Sequence, residues 1–167
     1  EKFIPSVVEP SFGVGRIMYA ILEHSFYVRE GEEKRTVMAF KPAVAAVKAA
    51  IMPINNSEQF NALVEELGDK LRYYTLAFRT DASSASIGRR YARADEVGIP
   101  FDVTVDFETL NKDSELYRTV TLRERDSMKQ IRMPVEDVAS VLNEVVKERT
   151  TWDALLAKYP QVTVAEE

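Results

Sequence analysis

The chain has 167 residues, 46% of them hydrophobic and none of them cysteine, with a formal net charge of -5 at pH 7. That length and apolar content support a core. The missing cysteine excludes disulfides, thiolate metal sites and thiol nucleophiles, and a single histidine excludes a His-based metal site. The acidic total argues against nonspecific nucleic-acid binding over the whole surface. No apolar run reaches the length needed to cross a bilayer, so no membrane is expected as a partner. The first residues, Glu1-Lys2-Phe3-Ile4-Pro5, have the pattern of neither a signal nor a transit peptide. The chain opens without a methionine, which raises the expectation that it is a segment of a longer protein.

Residues 4–9 read as a short strand. The string Glu9-Pro10-Ser11-Phe12-Gly13-Val14-Gly15-Arg16 then bends into an apolar helix expected over 15–29, with Ile17, Met18, Ile21, Leu22 and Phe26 all needing cover. One short strand cannot provide it, so the sheet that this helix packs on is expected to lie outside the chain. The two glycines let backbone pass close to a ligand, and Arg16 offers a planar fork of donors to a phosphate from the first helical turn. Neither a Walker loop nor a dinucleotide fingerprint is present. His24 is assigned a structural role within the helix. Residues 35–40 read as extended, and Lys41-Pro42 marks the expected domain boundary, since proline bars a continuing helix.

After the boundary the pattern becomes regular. Residues 47–52 form a near-continuous apolar strand, the form expected when both faces of a sheet are covered. Ser57 caps a helix with Phe60, Leu63, Val64, Leu67 and Leu71 at helical spacing. A second strand is expected over 74–78, a polar loop at Asp81-Ala82-Ser83-Ser84, and a second helix over 87–97 ended by Gly98. Residues 101–107 alternate as a half-buried strand. Strand, helix, strand, helix, strand implies a right-handed parallel unit. A hairpin at Asn111-Lys112-Asp113 leads to antiparallel strands over 116–125 and 128–133. Pro134 is expected to open a third helix carrying Val135, Val138, Leu142 and Val145. Thr151 caps a short last helix with Trp152, Leu155 and Leu156, stopped by Tyr159-Pro160, and 161–167 reads as a tail. The expected fold class is α/β, a mixed sheet of about five strands flanked by helices, spanning 42–160 and preceded by a strand-helix remnant at 1–41.

Nine Lys/Arg and nine Asp/Glu lie between Ser86 and Arg132, so the whole charge deficit sits elsewhere and basic character is local. Arg89, Arg90 and Arg93 fall on the helix side opposite Ile87, Tyr91 and Ala94. On the strand at 119–126, Val120 and Leu122 point one way and Thr119, Thr121, Arg123 and Arg125 the other. Arginines on a polar sheet face can bind phosphate or stack on bases. The bland alternative for the three helix arginines is a solvated face, partly neutralised by Asp95 and Glu96. Glu124 and Asp126 are candidates for holding the turn amides near Ser127.

The string from Glu9 to Arg16 resembles motif 3 of class II aminoacyl-tRNA synthetases, in the form of the eukaryotic and archaeal glycyl-tRNA synthetases. The resemblance continues through Tyr19 and Glu23-His24-Ser25-Phe26. It reappears in Ser86-Ile87-Gly88-Arg89-Arg90-Tyr91-Ala92-Arg93 and Thr121-Leu122-Arg123-Glu124-Arg125-Asp126-Ser127. It implies a carboxy-terminal piece of a class II catalytic domain followed by an anticodon-binding domain. The implied activity of the parent is ATP-dependent charging of tRNA(Gly) with glycine, using ATP with Mg2+ as substrate. Arg16 matches the catalytic and ATP-binding arginine, and Glu9 and Ser11 match the lining of the glycine pocket. Arg89, Arg90, Arg93, Arg123 and Arg125 become candidates for contacting the anticodon, whose two cytosines suit a site of mixed Arg and Asp/Glu character. The resemblance further implies a homodimeric parent and a cytoplasmic location, with mitochondria as the other compartment. Nothing matches motif 1 or motif 2, so this piece alone is expected to be inactive and to bind no cofactor. The rival expectation is a non-catalytic relative, such as the nucleic-acid-binding accessory subunit of a mitochondrial DNA polymerase.

Overall fold

The computed structural model describes residues 2–32 and 34–162. Helix α1 (Val14–Ser25) runs directly into strand β1 (Phe26–Val28), which pairs antiparallel with β2 (Thr36–Met38) as a hairpin. Strand β3 (Ala49–Pro53) is followed by a short 3-10 turn, helix α2 (Asn61–Tyr73), strand β4 (Phe78–Thr80) and helix α3 (Ile87–Glu96). Strand β5 (Phe101–Val105), the one-turn helix α4 (Phe107–Leu110) and strands β6 (Thr119–Glu124) and β7 (Gln130–Pro134) come next. Helices α5 (Val138–Val146) and α6 (Trp152–Lys158) and strand β8 (Gln161–Val162) complete the described chain.

The main sheet has six strands in the order β4-β3-β5-β6-β7-β8. Strand β3 is parallel to both β4 and β5, and every pairing from β5 onward is antiparallel. The mixed sheet expected from sequence is present, with one strand more than foreseen. That strand is Gln161–Val162, at the start of the expected tail; residues 163–167 lie outside the described residues.

Side-chain alternation sorts the sheet into two faces. On one, Ile51, Phe101, Val103, Val120, Leu122 and Ile131 meet Leu63, Leu67 and Leu71 of α2 and Val138 and Leu142 of α5 in the main core. On the other, Ala50 and Met52 meet Tyr91, Ala94 and Ile99 in a smaller apolar cluster under α3. Farther along this face the contacts are polar. Both faces are therefore covered, and β5 is buried at every position, Asp102 and Thr104 included, rather than half-buried as its alternation suggests.

Several boundaries differ from the sequence reading for identifiable reasons. No strand forms at 4–9: the segment is irregular and exposed, with no neighbouring strand to pair with. Helix α1 stops at Ser25 because Phe26 turns to extended backbone and β1 pairs with β2. Phe107 belongs to a helix, not to the preceding strand, because Asp106 caps it: its carboxylate accepts from the Thr109 amide at 3.0 Å and the Thr109 hydroxyl reaches back to the Asp106 amide. Pro134 ends β7 instead of opening a helix, its register partner being Thr119, and α5 starts only at Val138.

The β1–β2 hairpin lies against α3 through β2. Gly98 explains the closeness. It has a left-handed φ of +80°, and an added Cβ would stand 2.3 Å from Phe40 Cδ2 and 3.1 Å from the Met38 carbonyl oxygen. Gly98→Ala is expected to cost at least about 2 kcal/mol, combining backbone strain with a clash against the Phe40 ring and a tight contact with the Met38 carbonyl. Urea unfolding of the variant checks this; an unchanged midpoint would show that the hairpin does not seat on Gly98.

Candidate nucleic-acid interface

Of the five arginines singled out as RNA contacts, three are interior. Arg90, Arg123 and Arg125 are 1%, 2% and 1% exposed, and this corrects their assignment as residues that touch RNA. Arg123 lies on the face opposite Val120 and Leu122, as strand parity predicts. That face is roofed by α3 and the hairpin, which no periodicity within β6 could announce.

Arg123 stands directly across from Asp102 in the β5–β6 register. It donates to Asp102 Oδ2 at 2.8 Å and to both Asp95 oxygens at 2.9 and 3.0 Å, with its guanidinium 4.7 Å from the centre of the Tyr91 ring. Tyr91 in turn hydrogen-bonds the Thr104 hydroxyl at 2.7 Å. Arg29, at the end of the hairpin's first strand, also donates to Asp95 Oδ2 at 2.9 Å and to the Arg125 carbonyl. Arg125 reciprocates: it donates to the Phe40 carbonyl at 2.8 Å and the Gly98 carbonyl at 3.1 Å, while pairing with Asp126. Glu124, not Asp126, holds the following turn, accepting from the Ser127 amide and hydroxyl.

Arg89 and Arg93 remain accessible on α3. Arg93 donates to Asp81 Oδ2 at 2.9 Å and to the Ser83 hydroxyl at 2.6 Å, which orders the loop after β4. Burial alone would push the Asp81 carboxyl up, but the hydrogen bonds from Ser83 and the charges of Arg93 and Arg90 hold it below the usual range. A groove of about 520 Å3 runs beside this helix, with Arg79, Asp81, Arg93 and Glu96 over a floor that includes Met52 and Ile99.

The carboxyl ends of β3 and β5 define a crevice at this same end of the sheet. The chain leaves β3 through α2 toward β4, then returns through α3 to β5 on β3's other side. The carboxyl ends of parallel strands are where α/β sheets usually receive ligands. Pro53 and Val105 are register partners, and the Ile54 amide donates to the Val105 carbonyl at 2.7 Å. Two residues beyond these strand ends stand exposed Asn55 and Phe107, with Asn56 exposed beside them. Phe107 is 53% exposed although its ring leans on buried Phe60 at 5.4 Å. An aromatic face beside amide groups can stack on a base and read its edge. Phe107 was missed because the capping box of α4 reads as the end of a strand, and Asn55 and Asn56 because only the parallel pairing of β3 with β5 brings them beside it.

The amino-terminal candidates are arranged differently. Glu9, Ser11 and Arg16 are all exposed, and the Arg16 stem folds back beside Gly13. Helix α1 has no buried residue. His24 is exposed in its last turn and borders a depression of about 500 Å3 with Ile17, Ile21 and Val44. Among the described residues no cluster of His, Cys, Asp and Glu suits a metal ion, and no helix is long and apolar enough to cross a membrane.

A parallel half-sheet with helices on both faces, antiparallel strands beyond it and arginines grouped at one end is the build of an anticodon binding domain. The family model described as "Anticodon binding domain" matches residues 48–145, more than half of the chain, and the chain belongs to that family. It is 48% identical over 160 residues to the glycine–tRNA ligase of Drosophila melanogaster, a match covering 96% of this chain and 20% of the ligase. The glycine–tRNA ligase of Methanococcus maripaludis is 46% identical over 144 residues, covering 86% of this chain and 24% of that one. The prolyl-tRNA synthetase of Cryptosporidium parvum, solved with L-proline and AMP, shares the fold with a TM-score of 0.60 at 22% identity, over 72% of this chain and 24% of its own. The resemblance to glycyl-tRNA synthetases is thus borne out. The chain spans about a fifth of the length of the Drosophila ligase.

The buried acids make a pH prediction. Asp102 has one donor, Arg123, and its Oδ1 has no partner; burial pushes its carboxyl up to about 7 against the opposing charge of Arg123. Arg123 suffers burial too, but contacts with two acids outweigh it and hold the guanidinium firmly protonated. An unfolded aspartate titrates near ~3.9. Between that value and about 7 the folded chain keeps a proton that the unfolded chain releases, so this contribution is full below the lower value and is lost as pH rises through the upper one. Asp102→Asn is expected to remove the loss, so its stability relative to wild type should rise from about pH 5 to about pH 7 and then level. Denaturant midpoints across that range check it, and a constant difference would contradict the assignment.

Proposed function

We propose that this chain is the tRNA-recognising part of a glycine–tRNA ligase, with the anticodon loop entering the crevice at the carboxyl ends of β3 and β5. One observation carries the reading: the anticodon-binding match covers the segment that brings Asn55, Asn56, Phe107, Arg89 and Arg93 to one end of the sheet. Phe107 supplies a stacking face, the asparagine amides offer both a donor and an acceptor to a cytosine edge, and the two accessible arginines take backbone phosphates. Glutamate and aspartate side chains beside them restrict contact to this end and disfavour broad nonspecific binding.

In this reading the whole protein charges tRNA(Gly) with glycine, using ATP with Mg2+ as substrate, and works as a homodimer in the cytoplasm. A similar yeast protein is named as mitochondrial glycine–tRNA ligase 1, so that compartment belongs to the same proposal. Glu9 and Ser11 would receive the glycine ammonium and Arg16 the ATP, once further walls enclose them. Their support is the motif-like string, since an ammonium donates charge-assisted hydrogen bonds to a carboxylate and a planar guanidinium suits phosphate.

The crevice is tested with an RNA hairpin carrying the glycine anticodon loop. Phe107→Ala is expected to lose about 1–3 kcal/mol of binding at constant salt. Arg89→Ala and Arg93→Ala should each weaken binding and flatten the salt dependence by about 0.7 in log–log slope, as removal of one phosphate contact to single-stranded RNA does. Unchanged binding in all three variants would overturn this site. Equal affinity of the wild-type chain for duplex DNA would favour the accessory-subunit alternative.

A further inference from the structure

Arg90 is the most deeply buried large side chain of α3, yet no carboxylate receives it. Its Nη1 donates to the Pro53 carbonyl at 2.6 Å and the Asp81 carbonyl at 3.0 Å, and its Nη2 to the Ile54 carbonyl at 3.0 Å. Its Nε has no partner. Burying a cation against neutral acceptors is costly, and a purely structural tie could use neutral donors instead. What distinguishes the three carbonyls is their place. They are the last residue of β3, the next one, and the first residue beyond β4. One rigid fork therefore spans the starts of two loops, the one carrying Asn55 and Asn56 and the one carrying Ser83 and Ser84. Arg93, three residues on, fixes the second loop further through Asp81 and Ser83.

We propose that Arg90 is a positioning residue for anticodon recognition: without touching RNA, it sets the relative height of the loops after β3 and β4 and so the fit of the crevice to a base. The inference rests on the reading of that crevice as the RNA site. A guanidinium suits the task because its donors lie in one plane at fixed angles, whereas a lysine ammonium is a point charge that adapts to whatever carbonyl is nearest. Small misplacements of recognition groups have large effects on fit.

The test uses this chain with Arg90→Lys and Arg90→Met, and two RNA hairpins that differ only where the two anticodon cytosines are replaced by adenines. Affinities are measured by fluorescence anisotropy well below each variant's unfolding transition. The wild type should prefer the cytosine loop. Arg90→Met should reduce that preference about tenfold while binding the adenine loop as the wild type does, because phosphate contacts from Arg89 and Arg93 persist. Arg90→Lys should lose the preference in smaller degree, and it carries the test if the methionine variant fails to fold. A merely structural role would lower both affinities through loss of folded protein and leave their ratio unchanged; that result overturns the proposal. If the wild type binds both hairpins equally, the reading of the crevice falls and the role of Arg90 falls with it. If the wild type discriminates and both variants do so equally well, the crevice stands and Arg90 alone is overturned.

Discussion

The structure depends on one requirement: each guanidinium group placed inside it must be held by several acceptors at once. Arg123 sits in the sheet with an acid across from it on β5 and a second acid above it on α3, and both acids are buried against it. Removing one member of such a group leaves an uncompensated charge in the interior, which is why the set behaves as a unit. Arg29 brings the amino-terminal hairpin into the same set through Asp95, and Arg125 answers through the Phe40 carbonyl. Helix, hairpin and sheet share one electrostatic joint on a face that would otherwise be wet.

That joint separates two uses of arginine that look alike in sequence. Arg89 and Arg93 stay accessible and act outward, while Arg90 lies among carbonyls and Arg123 among carboxylates. Adjacent positions on α3 serve opposite ends because successive side chains are rotated about 100° around a helix. A second network follows the same logic on the same sheet face. Arg132 reaches Asp106, the Thr119 hydroxyl and the Thr119 carbonyl, and burial of the Asp106 carboxyl is outweighed by this bonding so that it titrates below its usual range. The residue that caps α4 and so presents Phe107 is thereby anchored to β7.

The parallel unit, the helices and the antiparallel return were legible because long periodic segments and turn residues agree there. The face assignment within β6 was legible too. What covers that face was not: a strand alternating apolar with Thr and Arg has the same pattern whether its polar side meets water or a layer of aspartates. Local chemistry misled at two other points. Phe107 continues the alternation of β5, but Asp106 and Thr109 form a cap that ends the strand. Pro134 sits where a helix could start, but the β7 ladder still needs a partner for Thr119. Of the candidate site, Arg89 and Arg93 were visible as charges, while Asn55, Asn56 and Phe107 gain meaning only from the parallel pairing of β3 with β5.

The direct passage of α1 into β1 changes how the amino-terminal element can behave. No residue of flexible connector separates Ser25 from Phe26, and the Ala39 amide donates to the Ser25 carbonyl at 2.6 Å, bracing the junction from the second strand. The helix is mounted like a cantilever, clamped at one end by the hairpin that Arg29 pins to Asp95. A force that tilts α1 meets stiffness at that root instead of swinging about a hinge. Mechanical load on the Glu9–Arg16 stretch is therefore passed into the hairpin and, through Asp95, into helix α3 and the main sheet.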